Sequence, residues 1–205
     1  ISSPEGQAYL GAMRASANFA WANRQAILDR MRGSFRQIFG ASVQLDLLYD
    51  VCHNIAKRER HQVEGRKLDV LVHRKGATRA FPPGHKEIPR AYREIGQPVL
   101  IPGSMGTASW ILAGEAGAML ETFGSVCHGA GRLLSRTAAR KGRDARQIQK
   151  KLEEEGILVR SESRDGILEE IPEAYKDVDE VIEVVHQAGL ARKVARLRPM
   201  GVIKG

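Results

Sequence analysis

The sequence predicts an α+β fold in which mixed, largely antiparallel strands carry the loops and helices pack around the strands. Three observations lead to it. The alanine-rich run over 6–40 places apolar residues at helical intervals. Short stretches, beginning with 43–51, alternate apolar and polar residues as strands do. Charged helical patterns follow at 132–155 and 177–187, separated by glycine-containing loops.

The predicted elements can be taken in chain order. Gly33 is expected to divide the N-terminal run into two helices. The strand over 43–51 is expected to pair antiparallel with a second strand over 67–73. Gly156 is expected just after a helix end, because glycine adopts the left-handed conformation found there. Further strands are expected at 98–102, 109–112, 157–160 and 191–198.

The composition limits the classes of function. The net charge of +8, from 32 basic and 24 acidic residues, favours a polyanionic partner. Aromatic residues are only 5%, so nucleic acid would be held through phosphate contacts more than through base stacking. No apolar run is long enough to cross a bilayer, which predicts no membrane partner. Two cysteines are too few for a disulfide framework and predict a reducing, cytoplasmic location.

The most informative stretch is Gly-Ser-Val-Cys-His-Gly-Ala-Gly-Arg-Leu-Leu-Ser-Arg at 124–136. Its glycines let the backbone approach a ligand, and a turn that opens a helix offers N–H groups to phosphate. Arg132 and Arg136 are predicted to share one helical face, where each can form a forked contact with phosphate. The imidazole of His128 could attack phosphorus or bind a metal. A buried histidine beside a helix cap is the structural alternative.

Two loops have the composition of phosphate or nucleotide sites. The loop over 74–84 joins glycines, cations and a hydroxyl, and the loop over 103–107 reads Gly-Ser-Met-Gly-Thr. Backbone amides and hydroxyls in such loops can surround phosphate oxygens. Solvated surface and a plain tight turn are the respective alternatives.

A Cys-His pair occurs twice, as Cys52-His53 and as Cys127-His128. On a strand, the two side chains of each pair would point to opposite faces. One reading is a zinc site of two cysteines and two histidines. The other is a catalytic site that takes one imidazole from each strand.

The ordered segments resemble the motifs of the RtcB-type RNA ligases, the tRNA-splicing ligases that use GTP. The matching segments are Ser-Ser-Pro-Glu-Gly-Gln-Ala-Tyr-Leu at 2–10, Asp-Val-Cys-His-Asn at 50–54, His-Arg-Lys-Gly-Ala-Thr-Arg-Ala-Phe-Pro at 73–82, Pro-Gly-Ser-Met-Gly-Thr at 102–107 and Cys-His-Gly-Ala-Gly-Arg-Leu-Leu-Ser-Arg at 127–136. The resemblance implies that 1–205 is the C-terminal portion of a single RtcB-like catalytic domain whose N-terminal half is absent from this chain. The chain also starts without methionine, like the middle of a longer polypeptide.

The resemblance further implies an RNA ligase that joins 3′-phosphate or 2′,3′-cyclic phosphate ends to 5′-hydroxyl ends, in tRNA splicing and RNA repair. His128 would carry GMP covalently and pass it to the RNA as an RNA–(3′)pp(5′)G end. The implied cofactors are GTP and two manganese ions. The implied partners are the two RNA ends, the N-terminal half and, in some members, an archease-type activating protein.

The same resemblance assigns roles to single residues. His53 would bind manganese, while an aspartate, a cysteine and two histidines of the N-terminal half would complete the metal site. The nucleotide would contact Asn54, Ser104, Ser109, Ala130, Gly131, Tyr175 and Lys204. RNA or GTP phosphates would contact Lys75, Arg79, Arg132 and Arg136. Because most metal ligands are missing, the chain alone is expected to be inactive. The alternative functions are a noncatalytic basic RNA-binding module and a zinc-stabilised structural domain.

Overall fold

The computed structural model describes residues 1–204, and about 39% of the chain is helical and 26% is strand. The predicted α+β class, with largely antiparallel strands and packed helices, is confirmed. The chain divides into two compact units, Ile1–Lys75 and the part that starts at Gly76. Each unit is described by itself.

The first unit begins with one long helix, α1 (Pro4–Phe39). Ser3 caps it by accepting a hydrogen bond from the N–H of Gly6, and Gly40 ends it with φ of 97°. The predicted break at Gly33 is wrong. Gly33 is exposed with open space around it, and a single exposed glycine costs a helix only about 1 kcal/mol. The continuous hydrogen-bond ladder outweighs that cost.

A hairpin follows, formed by β1 (Asn54–Val63) and β2 (Arg66–Lys75) in antiparallel register. The second predicted strand is confirmed, but the prediction of its partner at 43–51 is wrong, because that segment forms no strand. Its alternation was misleading, since Leu47 and Leu48 are both about half exposed. The true partner strand, β1, was not recognised from the sequence because two of its three buried positions carry the polar residues Glu59 and His61.

Those polar residues belong to a buried charge cluster in the hairpin. Arg74 donates two hydrogen bonds of 2.8 Å to the two carboxylate oxygens of Glu59. The Nε2 atom of His61 lies 3.0 Å from Oε2 of the same carboxylate. All three residues are at most 5% exposed. A buried carboxylate needs such partners, because desolvation of an unpaired charge costs several kcal/mol.

The second unit contains seven short strands and five short helices among its described residues. The strands are β3 (Ala77–Arg79), β4 (Pro98–Pro102), β5 (Ser109–Gly114), β6 (Ser125–Cys127), β7 (Leu158–Ser161), β8 (Ala191–Leu197) and β9 (Gly201–Lys204). The helices are α2 (Ala116–Glu121), α3 (Arg136–Arg140), α4 (Ala145–Glu154), α5 (Arg164–Glu169) and α6 (Val178–Gln187), with 3-10 turns at Arg90–Tyr92 and Pro172–Ala174. The strands expected near 98–102, 109–112, 157–160 and 191–198 and the helix expected near 177–187 are confirmed.

The strands of this unit form three small sheets. An antiparallel sheet has the order β4-β5-β8, β3 pairs antiparallel with β6, and β7 pairs parallel with β9. The apolar face of α6 packs into the main core with the three-stranded sheet. That core includes Val99, Ile101, Leu112, Val126, Ile182 and Val185. A second core forms around Leu152 and Val159.

The single helix predicted over 132–155 is wrong, because the structure divides it into α3 and α4. Gly142, with φ of 69°, ends the first piece, and the Asp144 side chain caps the second by accepting from the N–H of Arg146. Gly156 follows α4 with φ of 82°, as predicted. No helix within residues 1–204 is long and apolar enough to cross a membrane.

We expect Glu59→Gln to lower the free energy of unfolding by about 3 kcal/mol, because the buried guanidinium of Arg74 would lose the charge of the carboxylate that it binds through two hydrogen bonds. Urea unfolding followed by circular dichroism measures this loss. The matched control is Asp69→Asn, which breaks the exposed bidentate pair with Arg60 in the same hairpin and should have a much smaller effect. Equal losses in the two variants would contradict the importance of burial.

Candidate functional site

Three of the predicted site residues meet at one end of the hairpin in the first unit. His53 directly precedes β1, and Asn54 is paired in register with Lys75, the last residue of β2. Cys52 and His53 lie outside any strand, so the predicted strand alternation of this Cys-His pair is wrong. The antiparallel register therefore brings together a predicted metal ligand, a predicted nucleotide contact and a predicted phosphate contact.

Metal binding has limited support within this chain. Among residues 1–204, no group of three or more His, Cys, Asp and Glu side chains could hold a metal ion. Burial raises the pKa of the Cys127 thiol, which disfavours the thiolate that zinc requires. The zinc-stabilised alternative therefore gains no support. A manganese pair also does not fit the described residues alone, because manganese needs several ligands.

The second unit positions His128 directly after β6. Ala77 pairs with Cys127, so the turn at Gly76 lies against the imidazole. A Cβ atom added at Gly76 would lie 3.7 Å from Nε2 of His128, and the φ of Gly76 is 70°. The positive φ favours glycine at this turn, whereas a Cβ atom would make only an ordinary van der Waals contact with the imidazole. The second Cys-His pair is also not carried within one strand, because β6 ends at Cys127.

The glycine turn after His128 rests on the end of β4. The N–H of Ala130 donates to the carbonyl of Pro102 over 3.1 Å. Pro102 in turn pairs with Ser109, the first residue of β5. Pro102 therefore contacts two predicted nucleotide-binding residues, Ala130 through a hydrogen bond and Ser109 through strand pairing.

The loop after β4 is closed by a hydroxyl. Thr107 Oγ1 accepts from the N–H of Ser104 over 2.7 Å and lies 3.0 Å from the Ser104 hydroxyl. A Cβ added at Gly103 would come within 2.3 Å of the carbonyl oxygen of Ala108, so the turn is too tight for any other residue. Thr107 was not among the predicted site residues, although its hydroxyl was visible in the loop sequence. It sets the position of Ser104.

Arg132 is not helical, so the predicted shared face with Arg136 is wrong. Ser135 caps α3, which begins only at Arg136, while Arg132 forms an isolated β-bridge with Tyr175. The predicted helix opening directly after the glycine turn is also wrong, because Gly131 bonds instead to the N–H of Lys176 over 3.0 Å. The N–H groups that were expected to be free belong to an irregular loop, and those of Ala130, Leu133 and Leu134 donate to backbone carbonyls.

A cluster of polar side chains joins Arg132 to two further predicted residues. Its guanidinium donates to the Tyr175 hydroxyl over 2.9 Å and stacks over the ring at 4.8 Å. The Tyr175 hydroxyl donates to Glu170, and the Lys204 ammonium lies 3.4 Å from the same carboxylate. Lys204 is held in β9 opposite Ser161, so it is not the frayed tail that its position near the chain end suggests.

Burial raises the pKa of Tyr175, and the hydrogen bond and negative charge of Glu170 raise it further. Arg132 opposes both effects. The phenol is therefore neutral near pH 7 and can donate a hydrogen bond. Glu170 was missed by sequence reasoning, and no motif in the sequence marks it, because it follows a short helix among other carboxylates.

The two remaining predicted phosphate contacts are ion-paired. Arg79 donates to Glu87 over 2.8 Å and stacks on Phe81. Arg136 is exposed, with its Nε 3.4 Å from Glu169. Either cation would have to exchange a carboxylate for a phosphate to bind RNA.

A cavity of about 690 Å³ borders this region. Among the described residues its lining includes Thr107, and Tyr175 is the one predicted nucleotide contact in it. Arg196 in its wall forms a bidentate pair with Asp179, which lowers the pKa of that carboxyl group. The lining mixes cations and carboxylates, so its charge does not select an anion.

Comparisons with known proteins agree on one family. The family model described as tRNA-splicing ligase RtcB matches residues 1–205. Curated relatives named tRNA-splicing ligase RtcB are 59% identical in Thermococcus kodakarensis, 58% in Pyrococcus horikoshii and 55% in Archaeoglobus fulgidus, in each case over 100% of this chain. The matched region is 43%, 24% and 43% of those proteins, so the chain spans less than half of their length. With every residue matched, this chain belongs to the tRNA-splicing ligase RtcB family.

Proposed function

We propose that this chain is the C-terminal, guanylate-carrying portion of an RNA ligase catalytic domain. The complete enzyme joins RNA 3′-phosphate or 2′,3′-cyclic phosphate ends to 5′-hydroxyl ends in tRNA splicing and RNA repair. The observation that carries the proposal is the meeting of loops in the second unit, where the glycine turn after His128 bonds to Pro102 on one side and to Lys176 on the other. Family membership makes a ligase the best-supported class.

The proposed chemistry begins at His128. An unprotonated imidazole nitrogen attacks the α-phosphorus of GTP, an N–P bond forms, the bond to the bridging oxygen breaks, and pyrophosphate leaves. An oxygen of the RNA 3′-phosphate then attacks the same phosphorus. The N–P bond breaks, and the RNA–(3′)pp(5′)G end forms. A cyclic phosphate is first opened by water.

The last proposed step makes the RNA bond. The 5′-hydroxyl of the second RNA attacks the phosphorus that is bonded to the RNA 3′-oxygen, loses its proton and breaks the bridging P–O bond, so that GMP leaves. The product is a phosphodiester. Activation replaces a phosphate oxygen, which is a poor leaving group, with GMP, which is a good one.

The proposed residue roles in the second unit follow the contacts described above. The backbone at Ala130 and Gly131 approaches the nucleotide phosphate, and Ser104 and Ser109 contribute hydroxyls. Tyr175 and Lys204 hold the guanine base. Arg79, Arg132 and Arg136 bind phosphates of RNA or GTP, since guanidinium groups match phosphate geometry. In the first unit, the proposed contacts are Asn54 with nucleotide and Lys75 with phosphate.

We also propose that His53 supplies one ligand of the two-manganese centre. One imidazole is insufficient, so the other ligands would come from the part of the ligase outside this chain. Bound manganese would draw charge from phosphate oxygens. An archease-type activating protein is a further proposed partner.

The requirement for the rest of the ligase is supported by α1. Its exposed apolar side chains include Phe19 at 77%, Ile38 at 72% and Phe39 at 63% exposure. Large apolar side chains grouped on one element are typical of surfaces covered by other polypeptide. We therefore propose that this chain alone is inactive.

The first prediction concerns covalent labelling. The chain is incubated with manganese and α-³²P-GTP, alone and mixed with the unmatched remainder of the Thermococcus kodakarensis relative. We expect acid-labile label on the chain in the mixture only, because a phosphoramidate hydrolyses in acid. His128→Ala should abolish it, while the control His186→Ala, which removes an exposed imidazole from α6, should retain it.

Other outcomes would have distinct meanings. Label on the chain alone would contradict the need for a second part. No label in the mixture, with salt-sensitive RNA binding intact and His128→Ala without effect, would favour the noncatalytic RNA-binding module.

A second prediction concerns Thr107. Thr107→Val removes the acceptor that holds the Ser104 N–H, so we expect KM for GTP to rise about tenfold with little change in kcat, as for loss of one hydrogen bond. The rate of label formation against GTP concentration in the same mixture measures this change. Thr107→Ser keeps the hydroxyl and should behave like the unmodified chain. A Val variant with unchanged KM would show that the closed loop has no role in binding.

A further inference from the structure

The carboxylate of Glu170 lies among three residues that sequence reasoning assigned to nucleotide and phosphate. We propose that Glu170 is a positioning residue for GTP, the shared acceptor that aligns Tyr175 and Lys204 with the loop after His128. This inference rests on the proposed function and names a residue that no sequence motif marks.

The two residues that Glu170 holds come from different parts of the second unit. Lys204 is on β9, and Tyr175 follows the 3-10 turn at Pro172–Ala174. The Tyr175 hydroxyl donates a hydrogen bond to the carboxylate oxygen Oε2, and the Lys204 ammonium lies 3.4 Å from the same oxygen. A lysine side chain has many rotamers, so a fixed carboxylate restricts where its ammonium can lie. One oxygen thus sets the separation of the two groups proposed to hold the base.

The other carboxylate oxygen connects this pair to the loop of the nucleophile. Oε1 of Glu170 lies 3.4 Å from Nη1 of Arg132, only four residues after His128. The guanidinium also donates to the carbonyl groups of Leu134 over 3.0 Å and Glu169 over 2.6 Å. Arg132 is thereby fastened both to its own loop and to the segment that carries Glu170.

Backbone hydrogen bonds make the connection stiff. The N–H of Leu133 donates to the carbonyl of Ala174 over 2.8 Å, and that of Lys176 donates to Gly131 over 3.0 Å. These two bonds flank Tyr175 and join its segment to the loop that follows His128. The network is polar and partly enclosed, where each satisfied bond also restricts its neighbours.

Glu170 also balances the charge of the two cations near it, Arg132 and Lys204. Its side chain is 22% exposed and lies between the cations Arg132 and Lys204, whose side chains are 25% and 31% exposed. The adjacent Glu169 is engaged with Arg136 and Arg140. Without Glu170, two cations would face the Tyr175 hydroxyl with no anion between them, and they would repel each other.

The first test reads the network without nucleotide. Tyrosine Cζ signals of the ¹³C-labelled chain are followed by NMR as the pH rises, with Tyr175→Phe used to assign one of the four tyrosines. Removal of the Glu170 charge should move the Tyr175 titration to lower pH in Glu170→Gln, since Arg132 still favours the phenolate. Circular dichroism checks that the chain stays folded over the range.

The second test reads nucleotide binding. In the labelling mixture, Glu170→Gln should raise KM for GTP about tenfold and leave kcat within about twofold, because misalignment weakens binding before chemistry. The matched control is Asp165→Asn. Asp165 lies in helix α5, just before Glu170, and its carboxylate pairs with Arg140 of α3. This substitution should change neither KM nor the Tyr175 titration.

The outcomes separate this inference from the proposed function. A titration shift with unchanged KM would overturn the positioning role while the ligase proposal stands. An unchanged titration in Glu170→Gln would overturn the shared-acceptor role. No label with the unmodified chain in the mixture would reject the proposed function and the nucleotide role of Glu170 together, even if the titration shifts.

Discussion

The arrangement of the candidate site depends on backbone hydrogen bonds made by the loop over 129–134. This loop has no regular secondary structure of its own, so its peptide groups must find partners elsewhere. Ala130 bonds to the end of β4, while Gly131 and Leu133 bond to the segment over 174–176. His128 directly precedes this loop, so those hydrogen bonds fix the position of the histidine.

Many of the cations in this chain are also paired within the structure. Net charge alone suggests a general attraction for nucleic acid, but the structure distributes the charge unevenly. Arg74 is buried against Glu59, and Arg79 and Arg196 are paired with carboxylates at hydrogen-bonding distance. Many of the basic residues are therefore paired with carboxylates in contacts that hold loops and strands together. A count of basic residues is a poor guide to which of them could bind phosphate.

The two units use polar residues in different ways. In the hairpin, Glu59 and Arg74 are buried and satisfy each other, which makes them part of the fold. In the second unit, Glu170, Arg132 and Lys204 are only partly enclosed, so their contacts can be exchanged for contacts with a ligand. This difference in exposure separates a structural ion cluster from a candidate binding site more clearly than residue type does.

The sequence by itself determined the fold class, most strands of the second unit, the helix over 177–187 and the family, because these depend on local periodicity and on ordered motifs. It failed at β1, where Glu59 and His61 occupy inward positions, and at 132–155, where Gly142 and Asp144 divide a helical pattern into two helices. Only the tertiary structure decided that Arg132 leaves the helix to meet Tyr175 and that Lys204 ends in a strand beside Glu170. Those contacts join residues as many as 43 positions apart, as Arg132 and Tyr175 are, and no local pattern records them.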